Sequence, residues 1–139
     1  MIIAVDFDNT IVVDKAYADV TTPLQFKPGA RAALRRMKAA GHVLVLWSGR
    51  SNRALMYDPE FDPLVRAGIR SGEWNDAARE LHAERYREML EFVARELPGV
   101  FDAIDDGRCG KLEADRYIDD RAISFGGVTW LEIAERYGA

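Results

Sequence analysis

The chain alternates short aliphatic runs with longer stretches whose apolar residues recur at helical spacing. Ile2-Ile3-Ala4-Val5 is apolar without interruption, the signature of a strand buried on both faces of a parallel sheet, and it ends at Asp6. A polar-rich connection runs to about Phe26, within which Thr10-Ile11-Val12-Val13 reads as a short flap or hairpin. Pro28 then opens a helix where its missing N–H costs least. Ala30, Ala33, Leu34 and Met37 fall at i, i+3, i+4 and i+7, and Gly41 ends that helix. Val43-Leu44-Val45-Leu46-Trp47 is a second buried strand, running into Ser48-Gly49-Arg50.

Residues 51 to 75 carry prolines, glycines and short apolar pieces, which predict one or two short surface helices. A longer helix is predicted over about Asp76 to Leu97, with Tyr86, Met89, Leu90, Val93 and Leu97 on one face and Pro98-Gly99 as its stop. Phe101 to Ile104 reads as a third strand, and Tyr117-Ile118 as a short fourth before Asp119. Thr129-x-x-Glu132 is a capping box for a last helix, with Trp130, Ile133, Ala134 and Tyr137 expected to face inward. Strand, helix, strand, helix, strand, strand, helix is the order of an α/β protein with a mainly parallel sheet. The expectation is a single Rossmann-like, three-layer α/β/α domain over residues 1 to 139, with no repeat and no dividing linker.

Composition narrows the picture. At 139 residues, 48% hydrophobic and 30% charged, the chain can bury roughly two-thirds of its extended surface in one core. The net charge of −4 argues against strong non-specific nucleic-acid binding, although it leaves room for a local basic groove. The early apolar stretch is too short and lacks the basic flank of a signal peptide, and no segment has the length of a membrane span. A single cysteine, Cys109, excludes an intrachain disulfide and fits a reducing compartment, so a cytoplasmic location is expected.

The chemistry gathers where strands end. Asp6 and Asp8 stand one residue apart behind the first strand, at the edge where ligands of open α/β sheets collect. Two anions there repel each other and raise one pKa unless a divalent cation is present. The second strand ends at Ser48 and the fourth at Asp119-Asp120, with Lys111 eight residues before Asp119. Singly, each has an ordinary explanation: a turn serine, a solvated lysine, a charged loop whose groups pair locally for little energy. Their joint position at one sheet edge is what those explanations leave unaccounted for.

In that order, Asp6-x-Asp8-x-Thr10, Ser48, Lys111 and Asp119-Asp120 resemble the four motifs of the haloacid dehalogenase-like (HAD) phosphohydrolase superfamily. The resemblance spans residues 2 to 121 and departs at Asn9, where many members carry Gly. It implies a Mg²⁺-dependent phosphohydrolase acting on phosphate monoesters through an aspartyl-phosphate. Asp6 would be the nucleophile and Asp8 the proton shuttle. Mg²⁺ would be held by Asp6, the backbone carbonyl of Asp8, and Asp119, an oxygen-only set that suits this ion. Asp120 would orient metal waters, and Ser48 and Lys111 would bind phosphoryl oxygens. The customary cap insertion points, residues 9 to 27 and 105 to 111, are too short for a cap domain. Dehalogenase chemistry has no need of a carboxylate at Asp8 or of a metal.

The segment behind Ser48 is the place to expect substrate recognition. Arg50 is the tentative substrate contact, since Arg grips phosphate bidentately. The alternative is that Arg50 and Arg53 are solvated or pair with Asp58 and Glu60. Ser48-Gly49-Arg50 and Ile118-Asp119-Asp120-Arg121 are also similar to the 3′-phosphatase part of polynucleotide kinases, which points to nucleic-acid ends, while the acidic net charge points to a phosphorylated small molecule. A receiver module is disfavoured by chain order, because Lys111 precedes the last acidic pair. A catalytically silent partner-binding protein is disfavoured by the intact acidic set. His42 and His82 are expected to be structural or exposed, Trp47, Trp74 and Trp130 to be packing residues, and no Cys/His cluster suggests zinc.

Overall fold

The computed structural model describes residues 1–138. Among them four short strands, β1 (Ile2–Val5), β2 (Val43–Leu46), β3 (Ala103–Ile104) and β4 (Arg116–Ile118), form one parallel sheet in the order β3-β2-β1-β4. β1 is central: Ile3 and Val5 lie opposite Leu44 and Leu46 of β2, and opposite Arg116 and Ile118 of β4. The aliphatic runs form strands because branched and long side chains suit a pleated surface. Ile3, Ala4, Val5, Leu44, Val45 and Leu46 are buried, while Ile2, Val43, Ile104 and Ile118 are exposed.

Residues in alternate positions serve different faces. Ile3, Val5, Leu44 and Leu46 point to one side and join Leu34, Met89, Phe92, Val93, Leu97 and Val100 in the main core. Leu34 belongs to α1 (Ala30–Ala39), and Met89, Phe92 and Val93 to α4 (Asp76–Glu96). Full burial of each such side chain stabilises the fold by about 1.5–3 kcal/mol. Helix α4 starts where Asn75 accepts a hydrogen bond from the Ala78 N–H, at 2.9 Å. The sequence expected the Tyr86, Met89, Leu90, Val93 and Leu97 face to be apolar and inward; Met89, Val93 and Leu97 are buried, while Tyr86 and Leu90 pack against the core.

Of the expected flap or hairpin, residues 10 to 13 take the paired form: Ile11 and Val12 are buried, and Val12 bridges to Asp8 and, antiparallel, to Phe26. The chain folds back on Phe7, whose carbonyl accepts from the N–H groups of Thr10, Ile11 and Val12. Helix α5 (Trp130–Tyr137) has the expected capping box between Thr129 and Glu132 but no buried residue, and Trp130 is 74% exposed. Finally, β3 is two residues long. Asp102, just before it, spends its carboxylate on the Leu44 N–H and on Lys38, ending the regular ladder at that side.

Residues 49 to 75 form α2 (Gly49–Leu55), a 3₁₀ turn at Pro59–Phe61 and α3 (Pro63–Arg66). Helix α2 packs on α4, which sets one wall of the cleft described next. No helix among the described residues is long and apolar enough to cross a membrane.

Candidate active site

At the carboxyl end of the sheet a cleft of about 760 Å³ opens above β1, β2 and β4. Its floor is built by main-chain pairing. The Asp6 N–H donates to the Ile118 carbonyl at 2.9 Å, so the residue following β1 is drawn to the end of β4. Asp119 and Asp120 follow β4 directly. In consequence Asp6, Asp119 and Asp120 each offer a carboxylate oxygen within 4.8 Å of the others. Thr10 Oγ1 donates to Asp6 Oδ2 at 3.4 Å from the turn that follows.

Asn9 explains its own departure from glycine. It holds φ 57°, the left-handed region that Asn tolerates better than most residues. From there its Nδ2 donates to Asp120 Oδ2 at 3.0 Å, tying the loop after β1 to the end of β4. That hydrogen bond holds the Asp120 carboxyl below its ordinary range. Asp6 moves the other way, to about 6, chiefly because it is partly buried; the charges of Asp119 and Asp120 and a hydrogen bond shared with Asp120 add to the shift. Such crowding of like charge is what a bound cation would relieve. The donor set is carboxylate oxygen throughout, which suits a hard divalent ion such as Mg²⁺.

The carboxylate of Asp8 does not join this cluster. Arg50 donates to both of its oxygens, from Nε at 2.9 Å and from Nη2 at 2.7 Å. A metal ligand at Asp8 would therefore come from its main chain, as the resemblance implies. Arg50 is buried, its guanidinium over the Phe7 ring and its Nη1 hydrogen-bonded to Glu88 and to the Arg85 carbonyl. Burial opposes its charge, but the hydrogen bonds and charges of Asp8 and Glu88 outweigh burial and raise its pKa.

Arg50 is thus neither solvated nor a partner of Asp58 or Glu60, the alternatives to a substrate contact expected from the sequence, and four of its five N–H donors are taken within the protein. The partner that decided its place, Glu88, lies 38 residues further on and had no local signal.

Ser48 sits in the cleft as the N-cap of α2, its Oγ accepting from the Arg50 N–H at 3.1 Å. Its hydroxyl proton is left to donate to a ligand oxygen.

Lys111 is placed elsewhere. It is exposed, with Nζ 5.7 Å from the centre of the Tyr117 ring, in a separate depression shared with Ile2 and Asp115. The reason is local: the Tyr117 hydroxyl donates to the Leu112 carbonyl and accepts from the Ala114 N–H, pinning that stretch beside β4.

The cations that line the cleft are Arg50, Arg53, Arg85 and Arg121, of which the sequence singled out only the first two as candidates. Arg85 donates to the Tyr17 carbonyl at 2.7 Å and lies 3.7 Å from Asp8 Oδ2. Gly107 closes the third wall. With φ 83°, it sits so near α2 that a Cβ would come within 2.5 Å of Asn52 Oδ1.

The histidines take structural places. His82 is buried, stacked on Trp74 and hydrogen-bonded to the Tyr17 hydroxyl, and burial lowers its pKa. His42 accepts from the amino terminus at 3.2 Å. Cys109 is exposed and unbridged.

No family model matches the chain, and no curated protein matches it. One solved structure, a conserved protein from Bacteroides thetaiotaomicron, is similar to it at 27% identity, covering 100% of this chain and 92% of that one with a TM-score of 0.43.

Proposed function

We propose that the protein is a divalent-metal-dependent phosphohydrolase of phosphate monoesters, with Mg²⁺ as the metal. The observation that carries this reading is the convergence of Asp6, Asp119 and Asp120 at the end of β1 and β4, with Asp8 two residues away in the same cleft. A phosphate dianion repels nucleophiles, so a site for it must neutralise charge and position groups at once. A Mg²⁺ ion held by Asp6, Asp119 and the Asp8 main chain would supply the neutralising charge.

Asp6 attacks phosphorus with one carboxylate oxygen, and the bond to the leaving oxygen breaks as the aspartyl-phosphate forms. Asp8, of whose about four lone-pair sites Arg50 takes two, would carry its proton on one left open. It gives that proton to the leaving oxygen, then takes one from the water that releases phosphate from Asp6. Asp120, held by Asn9, orients the cation-binding side of the site. Ser48 donates to a phosphoryl oxygen, and arginines on the cleft wall replace the ammonium that Lys111 was expected to supply. A cleft this open admits a sizeable leaving group. A cytoplasmic, phosphorylated small-molecule substrate agrees with the acidic net charge.

The test is hydrolysis of p-nitrophenyl phosphate with Mg²⁺ and after EDTA treatment, alongside sugar phosphates, nucleotides and 3′-phosphorylated oligonucleotides. Turnover should need the metal and vanish in Asp6→Asn with the fold retained. Equal rates in EDTA, or a phosphoenzyme formed by Asp6→Asn, would overturn the assignment.

A further inference from the structure

A line of alternating charge runs from the loop before α1 through α4 and α2 to the edge of the cleft. Lys15 Nζ donates to Glu88 Oε2 at 2.6 Å, Glu88 Oε1 accepts from Arg50 Nη1 at 2.9 Å, and Arg50 presents Nε and Nη2 to Asp8. Exposure falls inside this line and rises again at its end. The side chains of Lys15 and Glu88 are 12% and 17% exposed, that of Arg50 is 1%, and that of Asp8 is 32%. Asp8, the last member, is the most exposed of the four.

Guanidinium is planar and rigid, so fixing one of its edges fixes the other. Nη1 is fixed twice, by Glu88 and by the Arg85 carbonyl at 2.8 Å. The backbone of Arg50 is fixed as well, in the first turn of α2 under the Ser48 cap. The opposite edge, Nε with Nη2, therefore meets Asp8 in one orientation. A carboxylate gripped at both oxygens cannot rotate about its Cβ–Cγ bond without losing a charge-assisted hydrogen bond. Glu88 is not itself a lining residue of the cleft or a member of the acidic cluster; it reaches the cleft through Arg50. Its carboxylate pairs with Lys15 and Arg50, offsetting the positive charge that Arg50 and Arg85 bring to a single Asp8.

We propose that Glu88 is a positioning residue: acting through Arg50, it sets the orientation in which Asp8 meets the leaving group. This rests on the phosphohydrolase reading for its kinetic consequence and on geometry alone for the clamp itself. The two are tested separately.

The clamp is read by nuclear magnetic resonance of the Arg50 Nε–H, assigned by its loss in Arg50→Lys. In the wild-type protein this proton should be slow to exchange and shifted by its hydrogen bond to Asp8. In Glu88→Gln, which keeps size and one acceptor oxygen, it should move and exchange at least about tenfold faster, as expected of a bond whose donor has lost an anchor. An unchanged resonance overturns the proposal whatever the activity. The Glu88→Asp variant guards against loss of fold, since it keeps the charge and shortens the reach; it should fall between wild type and Glu88→Gln.

The kinetic arm compares two leaving groups in Glu88→Gln. An alkyl phosphate needs a proton from Asp8, and misplacement by an ångström should lower kcat/KM on the order of ten- to a hundredfold. Dinitrophenyl phosphate departs without that proton, and its kcat/KM should fall by less than about threefold on the same reasoning. In an Asp8→Asn background the Glu88→Gln change should cost nothing more. Equal losses with both esters would make Glu88 a stability residue and overturn the proposal. If wild type hydrolyses neither ester, the phosphohydrolase reading fails, and the resonance still decides whether Glu88 sets Arg50.

Discussion

Arg50 and Asp8, 42 residues apart in the chain, meet through two hydrogen bonds of 2.9 and 2.7 Å, one to each carboxylate oxygen. This contact joins α2 to the loop after β1 and leaves the buried guanidinium with little capacity to hold a substrate. Its removal should therefore act on stability and on the chemical step rather than on binding.

In Arg50→Ala, Asp8 and Glu88 lose their common partner, and breaking a buried pair costs about 3–5 kcal/mol. Both acids are partly exposed, so the low end applies. Denaturant unfolding should show a loss near ~3 kcal/mol. Among molecules that remain folded, kcat should fall while KM stays within about twofold of wild type, the pattern of an interaction absent from ground-state binding. A rise in KM with kcat preserved would return Arg50 to the role of substrate contact.

Lys111 stands outside the cleft and Arg53 inside it. Lys111→Ala should leave kcat/KM within about twofold of wild type, as is usual for an exposed charge. Arg53→Ala should lower it roughly tenfold or more through KM, given about 1.5–3 kcal/mol for a charge-assisted contact. Severe impairment by Lys111→Ala alone would move the phosphate site to the other side of Tyr117.

Asp6, with its pKa pushed up to about 6 in the metal-free protein, gives a signed dependence on pH. A carboxyl whose folded pKa is raised destabilises the fold when ionised. The cost is complete above pH 6 and is relieved as pH falls towards the unfolded value near 3.8. At full strength the shift corresponds to about 3 kcal/mol, and solvent screening of this half-buried group reduces it to roughly 1–2 kcal/mol. Metal-free Asp6→Asn should thus be more stable than wild type at pH 7.5, with the gap closing by pH 4.5. Millimolar Mg²⁺ should close the same gap at pH 7.5 by stabilising wild type only. A gap independent of both pH and Mg²⁺ would contradict the crowding of charge at Asp6.

β1 and β2 were legible because their aliphatic runs report burial, the largely exposed β3 and β4 less completely. The acidic cluster was legible because strand ends are fixed by the strands. Other features needed tertiary information. Lys111 is drawn aside by the Tyr117 hydroxyl, and nothing at eight residues' distance from Asp119 reveals that bond. Arg85 and Glu88 lie beside the apolar face of α4, where charged residues ordinarily mean solvent. The capping box of α5 is a local signal and was readable; which way the helix faces depends on a neighbour, and the sequence does not specify one. Asn9 looked like a flaw in a glycine position until its contact with Asp120 gave the side chain a purpose.

Ser51, next to Arg50, is fully buried, and its hydroxyl has no hydrogen-bond partner among the described residues. An unmade bond of this kind costs about 1–3 kcal/mol. Ser51→Ala removes the orphan and improves helix propensity, so thermal denaturation should show a gain of roughly 0.5–1 kcal/mol. A loss of stability would mean that the hydroxyl is satisfied.

The Asn9–Asp120 hydrogen bond closes a loop of 111 residues, and Asp6 meets Ile118 over nearly the same span. A chain made from its amino end therefore carries Asp6 and Asp8 long before it carries their counterparts. Contacts this distant in sequence form late, because loop closure must come first. The centre of the sheet can pair β1 with β2 while the acidic site is still half built. The proposed cation site is then completed only at the end of folding, and the appearance of Mg²⁺ binding in a refolding experiment would time the docking of β4.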